Sequence, residues 1–318
     1  MHHSKGSGTK VTVVGAGNVG SNTARRIAER DLAEEVVMID IVEGLPQGLA
    51  LDINQSAPVE QFDAHVTGTN DYADTAGSDV CVITAGLPRK PGMSRMDLLD
   101  KNAEIVGGVT KQLAEHSPET ILVVVSNPLD EMTYLTAMVS EFPKERVMGM
   151  AGVLDSSRLR YFIAEKLEVS PYEVDAMTLG SHGDQMVAMP RHATVQGKPL
   201  PELVDQGALE ELFQRTKDGG AEIVGYLKKG SAFYAPSSSA TAMVQSIMSD
   251  DGGVHPTCAW TTGEYGIKDV YLGVPAKLGK GGVAEIVELE LNDDEAAKLS
   301  EAAEAIRAKC DELAARTF

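Results

Sequence analysis

Apolar residues in the first half of the chain fall in short, nearly unbroken runs, at residues 11–14, 36–39, 80–83 and 121–125. Between most of them lie longer stretches in which apolar positions recur with helical spacing, as at 102–113. Strands that are apolar with little alternation are covered on both faces, which predicts a parallel sheet with helices on each side. The fold class expected for this half is doubly wound α/β.

After Gly149 the rhythm changes. Helical segments are predicted at 156–167, 209–227 and 237–248, followed by β-rich stretches from 254 to 274 and a last amphipathic helix from 293 to 315. The expectation is an α/β domain over 9–149 and an α+β domain over 150–318. No Pro/Ser/Gly linker, internal repeat or low-complexity segment separates or decorates them. Residues 1–8, with two histidines followed by serine, lysine and glycines, read as an appended leader rather than part of the fold.

Composition narrows the function classes. In 318 residues, 43% hydrophobic, the chain can bury a sizeable core. No apolar run approaches the ~20 residues of a membrane-spanning helix. The 28 Lys and Arg against 47 Asp and Glu leave a formal charge of −19. Such a charge repels a phosphate backbone, so nucleic-acid binding is disfavoured. Cys81, Cys258 and Cys310 are odd in number and far apart, which fits neither a disulfide framework nor a zinc site and suits the reducing cytoplasm. The acidity also poses a problem: an anionic substrate would need local positive charge inside a negative molecule.

The sharpest motif is Gly15-Ala16-Gly17-Asn18-Val19-Gly20, a G-x-G-x-x-G placed after the strand 10–14 and before the helical 21–29. Glycines there let the backbone approach a pyrophosphate, whose charge is stabilised by free N–H groups and the helix dipole. Asp40 ends the next strand, twenty residues beyond the last glycine. Its carboxylate can accept hydrogen bonds from both ribose hydroxyls, and neither Ile41 nor Val42 supplies a cation for a 2′-phosphate, so NAD is favoured over NADP. This half is therefore read as a Rossmann domain.

Ligands of such folds bind beyond the carboxyl ends of the strands. Three segments occupy that position: the loop 85–95, with Arg89 and Arg95 among glycines and prolines; Ser126-Asn127-Pro128, where the proline starts a helix and frees the asparagine amide; and Gly180-Ser181-His182-Gly183-Asp184. These motifs, with Asp155-Ser156-Ser157-Arg158, stand in the order seen in the lactate/malate dehydrogenase family. The chain resembles that family over nearly its whole length, and is most like its lactate-dehydrogenase-like malate dehydrogenases of bacteria.

The resemblance implies a set of roles. His182 is the base for the substrate hydroxyl, oriented by Asp155. Arg158 is the bidentate clamp on the C1 carboxylate, a task that suits a planar guanidinium. Its spacing of three residues from Asp155 places both on one helix face. Arg95 polarises the substrate carbonyl, Asn127 bonds the same oxygen, backbone from Val125 through Ser126 to Asn127 lines the nicotinamide side, and Asn102 contacts NAD. Arg89 selects the substrate: lactate dehydrogenases carry glutamine there, whereas an arginine pairs with a second carboxylate. Malate and oxaloacetate are thus the expected ligands, with lactate or another 2-hydroxy acid as the alternative. The family also implies a homo-oligomer, a tetramer or else a dimer.

Other readings are weaker. No tyrosine is followed by lysine four residues later as a short-chain dehydrogenase requires, and neither a His-Glu-x-x-His nor a phosphate-loop lysine motif occurs, so no metal site is expected. A non-catalytic NAD-binding protein would be marked by loss of one of these residues, and none is missing. His65, His116, His192 and His255 lack the His-Gly-Asp context and read as surface or packing residues. Ser181 departs from the glycine or glutamate that many relatives carry before the histidine. The composition also resembles that of salt-adapted members of the family.

Overall fold

The computed structural model describes residues 8–87, 95–183 and 185–315, with the side chain of Arg95 outside that description. The first half alternates strand and helix: β1 (Lys10–Val14), α1 (Asn18–Glu29), β2 (Glu35–Ile39), α2 (Leu45–Glu60), β3 (His65–Thr69), β4 (Val80–Ile83), α3 (Arg95–His116), β5 (Ile121–Val124), α4 (Leu129–Ser140) and β6 (Val147–Gly149). These six strands lie parallel in the order β3-β2-β1-β4-β5-β6. Alternation along each strand divides the apolar residues between two cores. Val11, Val13, Val80 and Val82 face one layer, while Val14, Cys81 and Ile83 face the other.

The second half contributes α5 (Gly152–Leu167), β7 (Val174–Asp175), β8 (Thr178–Gly180), β9 (Met186–Ala188), β10 (Thr194–Val195), β11 (Lys198–Pro199), α6 (Gln206–Leu227), α7 (Tyr234–Ser249), β12 (Val254–Thr262), β13 (Lys268–Gly279), β14 (Gly282–Ile286) and α8 (Asp293–Ala314). Instead of forming a separate sheet, β12, β13, β8 and β9 continue the first one antiparallel, joined where Cys258 pairs with Gly149 and Gly273 with Gly180. Strands β11, β10 and β7 make a small second sheet. Helix α8 opens with a capping box between Asn292 and Glu295, so its acidic first turn serves the helix end.

The helices run longer than their periodic cores predict. Helix α1 begins at Asn18, inside the glycine motif, and α3 begins at Arg95. Two helices lack an amphipathic signal: α2 escapes the sequence pattern, and of α4 only the start, after Pro128, is marked. Helix α2 contains Pro46, Gly48 and Pro58 and buries only Pro46, Ala50 and Ile53. Helix α4 is buried nearly all round, including Asp130 and Glu131 in its first turn. Among the described residues no helix is long and apolar enough to cross a membrane.

Candidate active site

The glycine motif forms the turn between β1 and α1. Gly15 sits at φ +99°, and a Cβ at Gly20 would collide with the Gly15 carbonyl oxygen, so only glycine lets α1 pack this close. At Gly17 a Cβ would meet nothing within 4 Å, which leaves space directly over the helix end. Gly17 is the N-cap of α1 and provides no side-chain cap, so the first N–H groups are left for an outside acceptor. Asp40 Oδ2 accepts from Ala16 N at 2.6 Å and Oδ1 from Val42 N at 2.9 Å. Each oxygen retains a second lone pair for a ribose hydroxyl. An open anion cradle beside a fixed carboxylate fits the dinucleotide expected from the motif.

Beyond β5, Ser126 Oγ donates to Ala85 O at 2.6 Å and ties two strand ends together. The Asn127–Pro128 peptide is cis, and α4 begins at Leu129. Asn102, expected at the cofactor, is 1% exposed; its amide accepts from Leu87 N and donates to Leu87 O and Asn127 O, the last at 2.6 Å. It ties together the two loops that flank the cleft. Arg89 and Asp184 lie outside the described residues, as does the Arg95 side chain, whose backbone opens α3.

The acid–base constellation is built by α5 and the turn after β8. Asp155 lies in the first turn of α5, where the helix dipole favours a carboxylate, and is 2% exposed. His182 Nδ1 is 2.8 Å from Asp155 Oδ2, and the Arg158 guanidinium is 3.4 Å from Oδ1. Asp155 raises the His182 pKa above its ordinary value, against the lowering effect of burial. Burial pulls the Arg158 pKa down and Asp155 opposes it. Arg158 Nε is buried without a hydrogen-bond partner. Opposite it, α6 presents Gly219 and Gly220, where added Cβ atoms would lie 3.2 Å from Arg158 Cδ and 3.5 Å from a terminal guanidinium nitrogen. Glycine in a helix interior costs about 1 kcal/mol against alanine, so this pair exchanges helix stability for room beside the guanidinium.

These groups meet in one cavity of about 350 Å³. Its lining joins Val19 of α1, Val125 and Asn127 to Asp155, Arg158 and His182, with Met150, Leu154, Met186 and Pro236 as apolar wall and Lys217 of α6 as a further cation. Sequence reasoning missed Lys217, the Gly219–Gly220 pair and Asp130. The buried acid had a faint signal, two carboxylates, Asp130 and Glu131, one residue beyond the proline that starts α4. Ser181 Oγ donates to Asp130 Oδ2 at 2.6 Å, which gives the departure at Ser181 a partner. His255, read as a packing residue, bonds Ser246 Oγ at 2.7 Å away from this cavity.

Comparisons with known proteins point the same way. Residues 9–149 match the lactate/malate dehydrogenase NAD binding domain, and residues 152–317 match the lactate/malate dehydrogenase alpha/beta C-terminal domain. The chain is 54% identical to a malate dehydrogenase of Salinibacter ruber over 304 residues, which cover 96% of each chain. It superposes on the solved malate dehydrogenase of Salinibacter ruber with TM-score 0.92 and 51% identity, covering 96% of this chain and 97% of that one. The lactate dehydrogenase of Cryptosporidium parvum in complex with lactic acid and nicotinamide adenine dinucleotide matches with TM-score 0.92 and 38% identity, covering 98% and 99%.

Proposed function

Because this chain belongs to the lactate/malate dehydrogenase family, we propose that its cavity interconverts malate and oxaloacetate with NAD. The observation that carries the reading is Asp155 shared between an imidazole at 2.8 Å and a guanidinium at 3.4 Å at the wall of that cavity. A base and a carboxylate clamp held by one buried acid are what oxidation of a 2-hydroxy acid requires.

Residues 9–149 bind NAD and residues 150–318 supply the acid–base and substrate groups. Gly15, Ala16, Gly17, Asn18, Val19 and Gly20 cradle the pyrophosphate, Asp40 takes the ribose, and backbone from Val125 through Ser126 to Asn127 lines the nicotinamide side. When bound, NAD supplies the electrophilic ring that accepts the hydrogen from C2. With Nδ1 donating to Asp155, the lone pair at His182 Nε2 receives the hydroxyl proton, and Asp155 stabilises the imidazolium formed. Arg158, held by Asp155 through one terminal nitrogen and with Nε left unpartnered, grips the C1 carboxylate. Asn127 bonds the reacting oxygen. Arg95 is assigned to polarise the same oxygen and Arg89 to pair with the distal carboxylate, both on family resemblance. Asn102 contacts NAD, on family resemblance, from between the two loops that it ties together.

Steady-state rates with oxaloacetate and pyruvate test the assignment. Oxaloacetate is the expected preferred substrate, and faster turnover of pyruvate would overturn it in favour of lactate. Arg89→Gln is expected to shift the ratio toward pyruvate, since leaving a buried charge unpaired costs about 3 to 5 kcal/mol. We further propose a homotetramer, or failing that a dimer, working in the cytoplasm.

A further inference from the structure

A second buried acid stands behind the histidine loop. Asp130, in the first turn of α4, is 3% exposed. Its Oδ2 accepts from Ser181 Oγ at 2.6 Å and from His182 N at 3.2 Å, and its Oδ1 accepts from Cys258 Sγ of β12 at 3.4 Å. A carboxylate holding three donors in a dry site is costly to bury unless those bonds are made. Its partners come from the loop carrying the base and from β12, while α4 itself starts two residues after Asn127. Asp130 therefore connects the asparagine side of the cavity to the histidine side.

Resting on the reading of His182 as the base, we propose that Asp130 is a positioning residue for proton transfer, fixing the His182 backbone against α4 and placing a second negative charge behind the imidazole. The groups facing His182 are Asp155 and Arg158 from α5 and Asp130 from α4, with Lys217 of α6 on the same cavity wall. Asp155 and Asp130 both raise the imidazole pKa, whereas Arg158 and burial lower it. Around Asp130 itself lie Glu131, which pairs with Lys309 of α8 at 3.3 Å, and the thiols of Cys258 and Cys310. Burial raises the Asp130 pKa, and the Ser181, Cys258 and His182 interactions oppose that rise. Ser181 thus has a use that glycine would not supply: its hydroxyl donates to the buried acid and ties the histidine loop to α4.

The test is an NMR titration of the histidine ring in the full-length protein, with His182→Asn identifying the resonance. This readout needs no turnover, so it stands apart from the substrate assignment. Asp130→Asn is expected to lower the His182 pKa by about 0.5 to 1 and to move the acid limb of malate oxidation the same way. Ser181→Ala retains the charge and is expected to keep the raised pKa while lowering kcat about 3-fold to 10-fold at unchanged KM for NAD. An unchanged titration in Asp130→Asn would overturn the proposal, as would an equal shift in Ser181→Ala. If Asp130→Asn does not fold, wild-type kcat in Ser181→Ala overturns it instead. A wild-type enzyme inactive on malate whose His182 still responds to Asp130→Asn would refute the substrate assignment and leave the positioning role standing.

Discussion

Asp155 Oδ2 and His182 Nδ1 lie 2.8 Å apart, with the carboxylate side chain 2% and the imidazole 22% exposed. The pair is closed enough for its attraction to outweigh burial, and the imidazole retains an edge toward the cavity. The raised His182 pKa then has a kinetic sign. Malate oxidation needs the neutral ring and should rise with pH through an ionisation above the ordinary value of about 6.5. Oxaloacetate reduction needs the protonated ring and should fall over the same interval. Asp155→Asn should move both limbs to lower pH and reduce kcat about 100-fold or more, as read from pH–rate profiles in both directions.

The same pair affects stability. A group whose folded pKa is raised stabilises the fold most below its unfolded pKa, and the contribution disappears as pH rises through the folded value. Melting curves of wild type and His182→Asn should therefore differ most below about pH 6.5 and converge on the alkaline side. A gap that widens with pH would contradict the pairing.

Gly219 separates substrate binding from folding. Alanine there gains about 1 kcal/mol of helix propensity, yet its Cβ would press to 3.2 Å from Arg158 Cδ. Gly219→Ala should therefore raise KM for malate about 10-fold, roughly 1.4 kcal/mol of binding, with kcat less affected and thermal stability not reduced. A stability loss without a change in KM would mean that the glycine serves packing alone.

The cofactor preference is assigned to Asp40. Asp40→Asn keeps one acceptor and loses the charge, so Ala16 N or Val42 N loses part of its anchor. KM for NAD should rise about 10-fold, kcat at saturating NAD should stay within a few-fold, and discrimination against NADP should relax. Parallel titrations with the two cofactors measure this.

The parts legible in the sequence are those whose environment repeats along the chain. Val80 to Ile83 are apolar on both faces because β4 lies between two layers, and the composition of the run says so directly. The three-residue spacing of Asp155 and Arg158 places them on one face, and α5 brings them to 3.4 Å. The start of α4 was marked by Pro128, but its extent stayed hidden because burial nearly all round erases periodicity. Asp130 did so because a buried acid is distinguished only by donors 51 and 128 residues away, Ser181 and Cys258. The bonds of Asn102 were hidden for the same reason, because its partners Leu87 and Asn127 lie 15 and 25 residues away.

The unbroken sheet from β3 to β9 governs how this chain can be recombined with its relatives. A crossover at residue 150 looks like a junction between modules, yet it severs β6 from β12, which pair through Gly149 and Cys258. A chimera joined there must match two sheet edges rather than a tether. Unmatched edges template pairing between molecules. Shuffled hybrids are then limited by soluble yield before catalysis is ever measured, and successful ones must inherit β6, β12 and the α4 segment that packs beside them as one block.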